Sequence, residues 1–179
     1  MNADELRTLQ SPLKERYREE PASAHITLTA SGTLDSQAIA CRVETGRALV
    51  EAGLHPATGG TGLQACSGDM LLEALVACAG VTLRAVATAL GIEVRAGSVR
   101  AEGDLDFRGT LGVSKETPVG FQEIRLGFEL DTDAPSEQLD TLFRLTERYC
   151  VVLQTLRTSP AVTVSRKQFS PQMNADKRR

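Results

Sequence analysis

The stretch Ser67–Gly91, SGDMLLEALVACAGVTLRAVATALG, decides the fold. Between its ends only Asp69, Glu73 and Arg84 carry charge. This composition predicts one long helix, apolar around most of its circumference. Such a helix cannot lie on a surface and must be wrapped by sheet or by a partner subunit. Ser67 is the expected N-cap, and Asp69 puts negative charge in the first turn, where the helix dipole favours it. Gly91 is the expected stop. The segment is long enough to span a bilayer, but its three charges, many alanines and lack of flanking anchors predict a buried helix of a soluble protein.

Working outward, 179 residues fit one domain with a substantial core. The net charge of -3 offers no basis for a nucleic-acid partner, and no membrane association is expected. The opening MNADELRTLQSPLKERYREEP is charged throughout and lacks the apolar segment of a signal peptide, so a cytoplasmic location is expected. The four cysteines, Cys41, Cys66, Cys78 and Cys150, form no C-x-x-C pair, and only His25 and His55 could supplement them as metal ligands. A zinc site is therefore not expected, nor any other cofactor, and the plain reading of each cysteine is a buried free thiol.

Along the chain, Leu6, Leu9 and Leu13 give a helical arm from Asp4 to about Glu20, closed by Pro21. Residues 1–24 are read as this arm, 25–165 as the domain, and the polar 166–179 as a disordered tail. Alternation predicts strands over His25–Thr33 and Ala38–Val43, with Ala48–Glu51 completing a small antiparallel meander. HPATGGTG (His55–Gly62) is a glycine-rich loop without the Lys-Ser/Thr pair of a phosphate-binding loop, and reads as a flexible entry to the central helix. Further strands are predicted over Ile92–Phe107, Gly120–Leu130 and Ala161–Val164. Ser136 is the expected N-cap of a second helix, with Leu139, Leu142 and Phe143 on its apolar face and Tyr149, Cys150, Leu153 and Leu156 continuing at helical spacing.

Two helices with a cysteine each, embraced by antiparallel sheet, support only a weak redox hypothesis from the residues alone. The wording of the segments adds more. SGDMLLEALVACAGVTLRAVATALGI and GFQEIRLGFELDTDAPSEQLDTLFRLTERYCVV, in this order, resemble the OsmC/Ohr family of osmotically inducible and organic-hydroperoxide-resistance proteins, over about Ile26 to Val164. The resemblance implies an α+β fold, with antiparallel sheets wrapped around two central helices in an intertwined homodimer whose active sites lie at the subunit interface. It implies a thiol peroxidase acting on organic hydroperoxides, with Cys78 matching the peroxidatic and Cys150 the resolving cysteine, and an external dithiol as reductant. An apolar lining from Leu72, Leu75 and Val76 would suit an organic substrate.

The sequence departs from the hydroperoxide-specific branch. That branch activates its thiolate with an arginine at the first strand turn, held by a glutamate at the start of the central helix. Here the turn is SGTLDSQ, and Gly68 stands in place of the glutamate. Arg42 and Arg47 are the substitute cations, with Asp69 or Glu73 as their orienting partner. Arg84, six residues past Cys78, is expected to point away. Where the family often has proline after the second cysteine, Val151 follows, so the helix is expected to run through Cys150 unbroken. The rival readings are a non-catalytic stress or small-molecule-binding protein with buried thiols, and a general disulfide reductase.

Overall fold

The computed structural model describes residues 3–34, 41–43, 52–63 and 65–166. Its centre is α2 (Ser67–Leu90), the helix expected from the opening stretch. Leu72, Leu75, Val76, Ala79, Leu83 and Ala87 recur at helical spacing and are all buried. This stripe lies under an antiparallel sheet of order β2–β1–β5–β6, formed by β1 (His25–Leu34), β2 (Cys41–Val43), β5 (Ala96–Asp106) and β6 (Glu123–Asp131). β5 is the middle of the layer. It pairs with β1 from His25↔Asp106 to Thr33↔Ser98, and with β6 from Ala96↔Asp131 to Asp104↔Glu123. Its alternation buries Val99, Ala101 and Leu105 toward the core and leaves Arg100 exposed on the other face. Gly103 belongs to the buried set because any Cβ there would overlap the Phe121 ring.

The end of α2 follows expectation. Gly91 takes the left-handed conformation at φ 67°. Its N–H donates to Thr88 O (3.2 Å), and that of Ile92 donates to Ala87 O (2.9 Å), so the last carbonyls are satisfied by a Schellman motif. Arg84 donates to Val94 O at 2.7 Å, tying the helix to the segment that leads into β5.

The helix starts need correction. Cys66, not Ser67, is the boundary residue of α2, and it makes no side-chain cap. Its backbone is held extended by the two-residue parallel pairing of β3 (Ala52–Gly53) with β4 (Ala65–Cys66), so helical geometry can begin only at Ser67. That pairing is separate from the main sheet, and the proposed strands at 38–40 and 48–51 lie outside the described residues, as does the tail from 167. Pro135 likewise takes the boundary of α4 (Ser136–Tyr149) from Ser136, because its carbonyl already accepts from the Gln138 and Leu139 N–H groups. Ala161–Val164 forms no strand: it finds no pairing among the described residues, and Val162 and Val164 are 81% and 91% exposed.

The N-terminal arm is α1 (Ala3–Glu19). Tyr17, near its end, is wholly buried and donates its hydroxyl to Ala57 O at 2.6 Å. Ala57 sits in a short turn, Pro56–Thr58, where His55 Nδ1 accepts from the Ala57 N–H at 3.0 Å and the His55 ring stacks on Phe107 at 5.0 Å. Phe107 opens a single helical turn, α3 (Phe107–Thr110), capped by buried Asp106, which also binds Arg108 and His25. The arm is thus bonded to the loop that feeds α2. Tyr17→Phe should cost about 1–2 kcal/mol by stranding the Ala57 carbonyl. Calorimetry reads this as a Tm lower by several degrees; an unchanged Tm would mean the bond contributes nothing to the fold.

Candidate active site: a thiol pair at a helix break

The second helical stretch does not run through Cys150. α4 stops at Tyr149 and α5 (Val151–Arg157) restarts it, with Cys150 between them at φ -70°, ψ 105°. Cys150 serves both helices: its N–H donates to Thr146 O and its carbonyl accepts from the Gln154 N–H, each at 2.9 Å. Gln154 Nε2 spans the break to Glu147 O at 2.7 Å. The extended ψ turns the chain at Cys150 even without a proline after it. The first N–H groups of α5 are consequently left without intrahelical acceptors.

Those groups lie toward the other thiol. α2 and α5 are in contact, and half-buried Cys78 lies near enough to the backbone N–H groups of Val152 and Val151, the Cys150 thiol and the Thr82 hydroxyl for each to favour its thiolate. Burial pushes the Cys78 thiol up, but these donors outweigh it and hold the thiol below the ordinary cysteine value. Wholly buried Cys150 moves the opposite way. Its desolvation dominates, the neighbouring Cys78 adds to it, and the N–H groups of Leu153 and Val152 offset only part. The two sulfurs titrate as a pair, with the proton retained at Cys150 and the charge developing at Cys78.

Asp69 and Glu73 both lie half-buried in the first turns of α2. At about 100° per residue they stand about 180° and 140° around the helix from Cys78, so neither faces the sulfur. Burial lifts the Asp69 carboxyl above the usual range, partly countered by His55. Burial and repulsion from Asp69 lift Glu73. Neither makes an ion pair with a described arginine or lysine. Arg42 belongs to β2, opposite Thr33 of β1, but its side chain lies outside the described part, and Arg47 lies wholly outside it. Arg84 is occupied with Val94, as its position around the helix implied. Of the other cysteines, Cys66 packs partly buried against the core, and Cys41 is described only as backbone in β2.

The expected apolar lining is also corrected. Leu72, Leu75 and Val76 are fully buried core residues under the sheet. Only Leu75 reaches a groove, of about 380 Å³, whose apolar walls include Phe121, Leu126, Phe128, Leu153 and Leu156. Sequence reasoning missed Val151, Val152 and Thr82 as partners of Cys78. The two valines act through their backbone, so their side chains gave no signal; Thr82, four residues after Cys78, was legible by helical spacing.

Among known proteins, the family described as OsmC-like protein matches residues 60–165, which contain α2, both sulfurs and the break. Among solved structures, an OsmC-like hydroperoxide resistance protein from Jannaschia sp. CCS1 is similar in fold, with a TM-score of 0.54 at 18% identity, covering 83% of this chain and 96% of that one. A search of curated protein sequences found no match. The family match spans more than half of the chain, and the antiparallel sheet over a long cysteine-bearing helix agrees with it: the chain belongs to the OsmC-like protein family.

Proposed function

We propose that this protein is a thiol peroxidase that reduces organic hydroperoxides, with Cys78 as the peroxidatic and Cys150 as the resolving thiol. One observation carries the reading. A half-buried sulfur on α2 lies beside a second thiol and the N–H groups at the start of α5, which together hold its thiol below the ordinary cysteine value. The Cys78 thiolate attacks the distal peroxide oxygen; an S–O bond forms, the O–O bond breaks, and the alkoxide leaves as the alcohol after taking a proton from solvent. The resulting sulfenic acid condenses with the Cys150 thiol to a disulfide and water. An external dithiol reopens the disulfide by exchange, which suits the reducing cytoplasm expected for this chain. The likeness to a hydroperoxide resistance protein supports the choice of substrate. The rival, a non-catalytic protein with sealed thiols, accounts poorly for a half-exposed Cys78 supplied with donors.

We further propose a homodimer. Leu71, Ala74, Cys78, Val81 and Ala85 recur at spacings of three and four along the uncovered side of α2, and Leu71 and Val81 are 38% and 39% exposed. Apolar residues at that repeat form a helix-packing seam, and a second copy would cover it. In that assembly Arg42 or Arg47, steered by Asp69 or Glu73, remains the proposed additional cation for Cys78.

Three outcomes test this. With a dithiol reductant, Cys78→Ser should abolish peroxide consumption, whereas Cys150→Ser should permit one oxidation and leave a trappable sulfenic acid at Cys78; turnover at the normal rate by Cys78→Ser would overturn the assignment. Val151→Pro removes one donor to Cys78 while suiting the extended ψ of Cys150, since residues before proline prefer that region. It should move Cys78 alkylation to higher pH, slowing it several-fold at neutral pH; Arg42→Met and Arg47→Met, measured alongside, report any arginine contribution. Sedimentation should show a dimer at micromolar concentration, dissociated by Val81→Glu; a folded wild-type monomer there would exclude the seam as an interface.

A further inference from the structure

Thr146 is 1% exposed, and its hydroxyl has no hydrogen-bond partner among the described residues. It lies one turn before Cys150 on α4, so that Leu142, Thr146 and Cys150, all buried, share one face of the stretch. A threonine inside a helix ordinarily returns its hydroxyl to the carbonyl four residues back, here that of Leu142, but this bond is not made. An unpaired buried hydroxyl is destabilising, and valine would fill the same volume without that penalty. The hydroxyl is therefore unused in the reduced state described here, and a partner must be sought in another state of the site.

We propose that Thr146 is a positioning residue for the resolving step: its hydroxyl donates to the Cys150 sulfur when that thiol gives up its proton. The inference rests on the peroxidase reading above. While Cys78 is a thiolate, Cys150 keeps its proton and donates to Cys78, so a second donor at Cys150 has nothing to stabilise. Once Cys78 has become a sulfenic acid, its negative charge is gone and Cys150 must ionise in turn, wholly buried. The N–H groups of Leu153 and Val152 lie beside that sulfur on α5, and the proposed further donor, Thr146, stands one turn before it on α4. Cys78 is the titratable side chain that α2 presents to it. The Cys150 thiolate then attacks the sulfenic sulfur. The S–S bond forms, the S–O bond breaks, and hydroxide leaves with the proton Cys150 released, as water. Cys150 sulfur is oxidised and Cys78 sulfur reduced by the same amount, so no further oxidant is required.

The experiment uses the full chain with tert-butyl hydroperoxide and follows the two steps separately in rapid mixing. In Thr146→Val the oxidation of Cys78 should proceed at the wild-type rate, while disulfide closure should slow by about tenfold or more, as expected for losing a hydrogen bond to a charged group. Sulfinic acid should accumulate at Cys78 under excess peroxide. Thr146→Ser, which keeps the hydroxyl, should restore closure, and thermal stability of Thr146→Val should be unchanged or higher. Closure at the wild-type rate in Thr146→Val, or equal slowing in Thr146→Val and Thr146→Ser, would overturn the proposal. A second measurement needs no peroxide. In a Cys78→Ala background, where Cys150 titrates alone, adding Thr146→Val should move Cys150 alkylation to higher pH; an unmoved profile refutes the role of Thr146. Failure of wild-type Cys78 to oxidise would instead sink the peroxidase reading.

Discussion

Burying one side of α2 is the constraint on which the rest of this structure depends. Six residues from Leu72 to Ala87 are removed from water by the sheet together with α4 and α5, and fully burying each leucine or valine stabilises the fold by about 1.5–3 kcal/mol. To achieve this, β5 must return beside β1 after the helix, which sets the strand order and draws β6 in on its outer edge. A single sheet covers only one side of a helix. The opposite stripe, with Cys78 at its middle, stays partly open, so the packing that makes the core also leaves this sulfur only partly buried.

The chemistry then turns on a balance between desolvation and hydrogen bonding at two adjacent sulfurs. Hydrogen bonds to a charged group contribute about 1.5–3 kcal/mol each, so several of them can exceed the penalty on a half-buried thiolate. At Cys78 the donors prevail; at Cys150, wholly enclosed and beside another sulfur, burial prevails. One break in one helix accomplishes both. It frees the Val151 and Val152 N–H groups toward Cys78 and withdraws Cys150 beneath them. The electropositive environment a reactive thiol requires is thereby met in part by the start of α5, where sequence reasoning had looked only to arginine. Cys78 lies too far from the start of α2 to gain from that helix's own dipole, but it lies beside the start of α5.

At the other end of α2, the paired carboxyls of Asp69 and Glu73 sit beside the His55 turn, which Tyr17 bonds to the N-terminal arm. The arm therefore packs into the body by a buried bond. Its helix was readable from leucine spacing, but its anchor is a tyrosine whose partner is a backbone carbonyl far along the chain.

Hydrophobic periodicity and glycine chemistry were sufficient for α2, its stop at Gly91, and the strands β1, β5 and β6, because local pattern and burial agree there. Resemblance to a family paired Cys78 with Cys150, which spacing alone left open. Sequence placed the N-caps one residue late at Ser67 and Ser136, since a strand pairing at Cys66 and the bonded carbonyl of Pro135 set those boundaries. It also drew a strand at Ala161–Val164 that forms no pairing among the described residues; alternation can suggest a strand but cannot supply its neighbour. Most of all it missed the break at Cys150. The donors released there are backbone N–H groups, which almost every residue carries alike, so side-chain identity cannot reveal them. Only the tertiary structure, by turning the chain at Cys150 and setting α5 against α2, decides which sulfur they meet.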